Sequence, residues 1–432
     1  MKSIAEVSLW GKVIAAVALD EEGVADFEYD SEFARSGIEV APVCMPLSSK
    51  IYRFPELSRK TFYGLPGLLA DALPDKFGHA LIDTWLASQG RKAESFNAIE
   101  RLCYTGARAM GALEFKPVTG PKKTTAEQVR IDRLVALASS ILNQRQELKH
   151  SFDEDETQAL TDILRVGTSA GGARAKAVIA WNPKSNEVRS GQIQAGDGFE
   201  YWLLKFDGVN GNRDKELDDP SGFGGIEYAY YRMAKDCAID MSECRLFEEN
   251  GRRHFMTRRF DRTQTGEKLH LQSLCAVAHY DFNQAGAYSY EQAFLIMRQL
   301  GLTMPELEQQ FRRMVFNIVA RNQDDHVKNI AFLMDKSGQW SLSPAYDVTF
   351  SYNPSGDWTA QHQMTLNGKT DGFVLDDFKT CARNTSLKRG RAEAIVKEVV
   401  AVVSQWRDYA DEVNVLSEYR DKIARVLRVN DF

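Results

Sequence analysis

The hydrophobic pattern of this 432-residue chain changes period partway along, and that change limits which folds can absorb it. Up to about residue 284 the apolar residues mostly gather in short runs set between polar turns. Beyond it they recur every three or four residues through 290–300, 306–322 and 390–413. Short bounded runs build strands, whereas 3.6-residue spacing builds helices with one face to bury. In the first part, VSLW and GKVIAAVALD are two apolar runs broken at Gly11, with a turn at DEEG. Leu65 opens a helical stretch that continues through ALIDTWLASQG and stops at Gly90, a residue type that ends helices. Residues 111–115 read as a closing strand, and KPVTGPKKTTAEQ from Lys116 reads as a linker with a boundary near 118.

After that boundary, Val129, Leu134, Leu137, Ile141 and Leu142 share one face of a helix expected over 127–149. Residues 177–181 and 201–206 read as strands, and 225–238 as a helix. The acidic patch at 153–156 reads as a solvated turn. The expected class is therefore α+β, in three parts. A mixed N-terminal unit covers 1–118, a sheet-rich small lobe 119–265, and a helical large lobe 266–432.

Composition narrows the function. Lysine and arginine number 54 against 60 acidic residues, a net charge of −6, which disfavours tight nucleic-acid binding by this chain alone. The six cysteines form no C-x-x-C pair and no zinc spacing with histidine, so they read as buried thiols in a reducing compartment. The N-terminal apolar run carries acidic residues and no small-residue cleavage site, unlike a signal peptide. No uncharged apolar stretch approaches the roughly 18 residues that span a bilayer. A cytoplasmic protein with no membrane partner is expected.

The residues with most chemistry lie together at Arg321-Asn322-Gln323-Asp324-Asp325-His326-Val327-Lys328-Asn329-Ile330, between a helical run and an apolar one. Asp324 and Asn329 are five apart, the spacing of base and metal-binding asparagine in kinase catalytic loops. A carboxylate there accepts or orients a substrate hydroxyl, and a neutral amide oxygen nearby holds magnesium without adding charge. Asp347, in Ser343-Pro344-Ala345-Tyr346-Asp347, follows an apolar strand and stands where a further metal-binding aspartate belongs. The plainer reading is a solvated polar loop, and His326 alone reads as a structural histidine. Asp, Asp, His, Lys and Asn within six residues, with that downstream aspartate, favour a site.

A second constellation is Gly167-Thr168-Ser169-Ala170-Gly171-Gly172-Ala173-Arg174-Ala175-Lys176, which leads into a strand. Its glycines would let backbone N–H groups approach phosphates, although Ala173 stands where a Walker motif needs lysine. Such a segment is equally often just a turn. Lys205, between Leu204 and Phe206, is either an edge-strand gatekeeper or a phosphate-contacting lysine. Glu227 either pairs with it or simply complements the dipole of its own helix. Glycine-rich loop, strand lysine, D-x4-N and a final aspartate stand in the order found in protein kinases.

With these residues the chain resembles the HipA family, serine/threonine kinases that are toxins of bacterial toxin–antitoxin modules. The resemblance also rests on Gly67-Leu-Leu-Ala-Asp-Ala-Leu-Pro-Asp75, Gly106-Ala-Arg-Ala-Met-Gly-Ala-Leu-Glu-Phe115 and Arg259-Phe260-Asp261-Arg262, and covers nearly the whole chain. It implies a bilobal protein-kinase-like fold behind an N-terminal subdomain. It makes Asp324 the proton acceptor and Asn329 and Asp347 the magnesium ligands. The nucleotide loop would be Gly171, Gly172, Ala173, Arg174, Ala175 and Lys176. Lys205, His326 and Lys328 would stand beside the ATP phosphates, and Arg258, Arg259, Phe260 and Tyr346 would complete the nucleotide site. Ser169 would be the autophosphorylated serine. The loop departs from the family in reading Ala-Arg-Ala-Lys where proline is common before the lysine.

The function implied is an ATP- and magnesium-dependent protein kinase linked to persistence. A HipB-like helix-turn-helix antitoxin would restrain it and supply most contact with operator DNA. Its protein substrate would be an aminoacyl-tRNA synthetase. Two other readings stand beside it: an inactive kinase-like co-repressor scaffold, and a metal-dependent nuclease built on the carboxylates and His326.

Overall fold

The computed structural model describes residues 3–119, 130–143, 174–192, 195–209, 222–263 and 266–432. Strands β1 (Ile4–Leu9), β2 (Lys12–Leu19), β3 (Ala25–Tyr29) and β4 (Leu113–Lys116) form an antiparallel sheet in the order β3-β2-β1-β4. Trp10 and Gly11 join β1 to β2 with φ of 50° and 80°, the paired positive values of a tight hairpin turn. Glycine takes that conformation without a Cβ clash, which is why the apolar run breaks there.

The stretch expected as one helix from Leu65 onward is two, Gly67–Ala70 and Lys76–Ser88. Pro74 lacks the N–H that a continuous helix needs, and Asp75 starts the second helix by accepting from the Gly78 N–H at 2.6 Å. The run at 390–413 divides as well, into Arg391–Val403 and Trp406–Glu412. Trp406 is buried and donates its indole N–H to the Arg420 carbonyl at 2.9 Å, which turns the second piece onto the next helix.

Strands β5 (Lys176–Asn182), β6 (Glu187–Ser190), β7 (Glu200–Lys205), β8 (Cys244–Glu249) and β9 (Arg252–Arg258) make a five-stranded antiparallel sheet, ordered β6-β5-β7-β9-β8. One face buries Ala177, Ile179, Trp202, Leu204 and Met256 against two helices. These are Lys76–Ser88, through Phe77, Leu81 and Leu86, and Ile131–Asn143, through Leu134, Val135 and Ala138. A helix of the N-terminal unit thus shares the core of the small lobe. Alternation along a strand sends Lys176 and Lys205 to the opposite face, where they stand directly across from each other in register. The helix Phe223–Asp236 covers that side.

The chain then adds β10 (His270–Ser273), β11 (Tyr288–Ser289), β12 (Ala331–Met334), β13 (Trp340–Leu342) and β14 (Met364–Thr365). Strands β10, β12 and β13 form an antiparallel sheet, and β11 pairs in parallel with β14. Helices Tyr290–Gln299, Met304–Val319, Leu375–Asn384 and Arg391–Val403 supply the body of the large lobe. Asp261, fully buried, accepts two bonds from Arg259, one from Arg262 and one from the Gly111 N–H at 2.7 Å. Burial works to raise its carboxyl, but the two guanidinium groups win and hold it well below the usual carboxylate range. The N-terminal unit is thereby tied to the segment joining the two lobes. Among the described residues no helix is long and apolar enough to cross a membrane.

The shared core can be tested at Trp202, which is fully buried beneath both covering helices. Trp202→Ala should lower stability by about 3–5 kcal/mol in chemical denaturation. Limited proteolysis should then cut first near the helix Lys76–Ser88; an N-terminal unit as resistant as in wild type would argue against a common core.

Candidate active site

The small and large lobes meet at Lys205. It is the last residue of β7, and its ammonium lies 2.5 Å from Glu227 Oε1. It also pairs with Asp347 Oδ1 from the large lobe. Glu227 is fully buried in the first turns of Phe223–Asp236, and its other oxygen accepts from Arg174 at 3.0 Å. Burial alone would lower the lysine, but Asp347 and Glu227 outweigh it and the ammonium is held above its ordinary range. Of the two readings left open for Glu227, the geometry is the pairing one. Asp347 itself adopts φ of 56°, a left-handed conformation uncommon for aspartate and frequent at functional turns.

Lys176, opposite Lys205 in the sheet, is paired elsewhere. Its ammonium lies 3.3 Å from Asp75 Oδ2, and both side chains are 3% exposed. Burial pushes the Asp75 carboxyl up and the Lys176 ammonium down, each partly offset by the other's charge. Lys328 lies 3.9 Å from Asp71 Oδ1, and its ammonium stands 5.2 Å from the Phe282 ring centre. Asp71 also accepts from the Ser273 N–H and hydroxyl at 2.7 and 3.0 Å. Two carboxylates of the N-terminal unit thus balance two lysines of the cleft. In the sequence Asp75 falls inside a single expected helical stretch and gives no sign of either role, and its partner Lys176 lies a hundred residues away.

The loop after Met304–Val319 is held from within. The Asp324 N–H donates to Ser351 Oγ at 2.9 Å, and Asn329 Nδ2 donates to the Asp324 carbonyl at 2.8 Å. The Asn329 amide nitrogen being occupied this way, its oxygen is the atom left for a cation. Tyr346 donates its hydroxyl to the Lys328 carbonyl at 2.6 Å, tying the segment of Asp347 to that of Asn329. His326 Nε2 stands 3.7 Å from Asp324 Oδ1, with its ring tilted against Phe282. Asp347 and Asn329 offer hard oxygens of the type magnesium prefers, so the donor set suits that ion.

At the junction between lobes, the Phe260 and Tyr346 rings are 5.6 Å apart. Arg258 reaches outward to Glu243 at 3.5 Å, and Arg259 is buried with its guanidinium engaged by Asp261. These two arginines therefore make protein contacts, while Phe260 offers a ring surface beside the cleft. Arg174, Ala175 and Lys176 are all buried. Ser169, Gly171, Gly172 and Ala173 lie outside the described residues.

Asp75→Asn would remove the buried carboxylate that lies 3.3 Å from Lys176. Breaking one side of a buried pair should cost about 3–5 kcal/mol, and adding Lys176→Met should restore most of it. Denaturation midpoints of the single and double variants check this; equal midpoints for wild type and Asp75→Asn would contradict it.

Comparison with known proteins identifies the family. Residues 5–116 match the family model of the HipA N-terminal domain, and residues 168–406 that of the HipA-like C-terminal domain. A Haemophilus influenzae protein described as "Putative kinase" is 22% identical over 245 residues, 48% of this chain and 71% of that protein. A chain from the Shewanella oneidensis MR-1 toxin–antitoxin complex of HipA, HipB and operator DNA superposes with a TM-score of 0.65. That superposition covers 99% of this chain and 97% of the other at 15% identity, so it speaks for the fold. A small sheet-rich lobe and a helical lobe behind an N-terminal unit, with family matches on both sides of residue 118, give one answer: the chain belongs to the HipA family.

Proposed function

We propose that this chain is an ATP- and magnesium-dependent protein serine/threonine kinase and the toxin of a bacterial toxin–antitoxin pair. The observation that carries the reading is the three-way pairing of Lys205 with Glu227 and Asp347. A lysine held by a helix glutamate, facing an aspartate of the opposite lobe, is the arrangement that orients nucleotide phosphates for transfer. Bound magnesium–ATP supplies the phosphoryl group and the charge neutralisation its transfer needs. Asn329 and Asp347 would hold the cation through their oxygens, and Asp347, which pairs with Lys205 here, would then share its charge with that ion. Lys205, fixed by Glu227, would contact the phosphates. Asp324 accepts the proton of the acceptor hydroxyl as the new oxygen–phosphorus bond forms and the bond to ADP breaks.

Lys328 and His326 flank the same cleft, and Phe260 with Tyr346 line its inner end. Autophosphorylation at Ser169 would repel the nucleotide through added negative charge. The Shewanella complex contains HipB and operator DNA, which supports a helix-turn-helix antitoxin as partner here and DNA contact chiefly through it. The net charge of −6 agrees with an indirect role in DNA binding. An aminoacyl-tRNA synthetase is the proposed substrate, and growth arrest leading to persistence the proposed outcome. A co-repressor scaffold or a nuclease has no use for the Lys205 pairing.

Asp324→Ala should reduce phosphate transfer from labelled ATP about 10²–10⁴-fold and abolish growth arrest, with nucleotide affinity little changed. Near wild-type labelling would remove Asp324 as the base. Asn329→Ala and Asp347→Ala should each weaken magnesium-dependent binding of a fluorescent ATP analogue. Unchanged metal dependence in both would refute the metal assignment.

A further inference from the structure

The two neighbouring aspartates of the loop live in opposite surroundings. The Asp324 side chain is 42% exposed, whereas Asp325 is 3% exposed. Asp325 Oδ2 accepts from the Tyr290 hydroxyl at 2.6 Å and from His362 Nδ1 at 2.8 Å. Its Oδ1 accepts from the Gln363 N–H at 2.7 Å. A carboxylate so deeply buried is tolerated only with such donors, and here they come from two separate parts of the large lobe. Tyr290 is steadied in turn by Asn317 Nδ2 at 3.2 Å.

The same segment that grips Asp325 returns to grip Asp324. Gln363 Nε2 donates to the Trp358 carbonyl, and the Trp358 indole N–H donates to Asp324 Oδ1 at 2.7 Å. Residues 358–363 thus form a clasp with one end sealed on Asp325 and the other closed on Asp324. Among the described residues no hydrogen bond engages Asp324 Oδ2. A carboxylate turns readily about its terminal torsion, so pinning one oxygen decides where the other is presented.

We propose that Trp358 is a positioning residue for Asp324, held in place by Asp325 and His362 through the 358–363 clasp. The proposal deepens the kinase reading and rests on it. The indole N–H fixes Oδ1 and presents Oδ2 to the acceptor hydroxyl, whose proton it takes. Asp325 never meets substrate; it holds the segment that carries the indole.

The test compares wild type, Trp358→Phe, Asp325→Asn and the double variant, using γ-labelled ATP, magnesium and dephosphorylated casein as acceptor. Trp358→Phe keeps an aromatic ring and loses the indole donor. It should lower kcat about 10- to 100-fold while KM for ATP stays within about twofold. Asp325→Asn should do likewise, and the double variant should lose no more than the worse single one, since both act through one contact. An unchanged kcat in Trp358→Phe, or losses that multiply in the double variant, would overturn the proposal. A second measurement needs no activity: the indole N–H resonance missing in Trp358→Phe should shift in Asp324→Ala. No shift would overturn the contact itself. A shift present while wild type transfers no label beyond Asp324→Ala would overturn the kinase reading and leave the contact standing.

Discussion

Everything near the cleft is arranged around one electrostatic requirement: three cations brought close together must each meet a carboxylate. Lys176 and Lys205 face each other across neighbouring strands, and Arg174 lies two residues before the first. Like charges in register on a sheet repel, and burial removes the water that would screen them. Glu227, Asp347 and Asp75 supply the balance from three different places: a small-lobe helix, the large lobe and the N-terminal unit. The relative placement of all three bodies is thereby coupled to the charge state of one pocket.

That coupling explains why the N-terminal unit is built into the rest and not appended to it. Its helix Lys76–Ser88 covers the outer face of the five-stranded sheet, and the cap of that helix is the residue that neutralises Lys176. At the far side, Gly111 donates to Asp261, the buried carboxylate between Arg259 and Arg262. Trp10 and Trp340 add indole bonds to the Lys268 and Glu39 carbonyls across the same boundary. A unit fixed at so many polar points transmits its position to the cleft, because buried hydrogen bonds and ion pairs tolerate little misplacement.

The large lobe solves a different problem. It must hold a solvated carboxylate in a defined orientation on an irregular loop. Asn329 and Ser351 fix the backbone of that loop, and the clasp of residues 358–363 fixes its side chains. Rigid surroundings around an exposed carboxylate are what the proposed role of Asp324 would require.

Much of this was legible in one dimension because it depends on local pattern. Apolar alternation and helical spacing located most strands and helices, Gly11 and Gly90 marked their turns and ends, and the D-x4-N spacing with Asp347 pointed to the polar loop as a candidate site. Periodicity also misled where local chemistry decided the outcome: the breaks at Pro74 and before Trp406 each split a run that periodicity joined. Long-range pairing was not legible. Asp75 lay inside one expected helical stretch and gave no sign of being the partner of Lys176, Arg259 sits beside the cleft with its guanidinium taken by Asp261, and Trp358 lies 34 residues from the aspartate it contacts. Hydrophobic period and turn chemistry are properties of neighbours in the chain, and they specify elements. Which carboxylate meets which cation depends on how those elements pack, and only the folded chain brings such partners within reach.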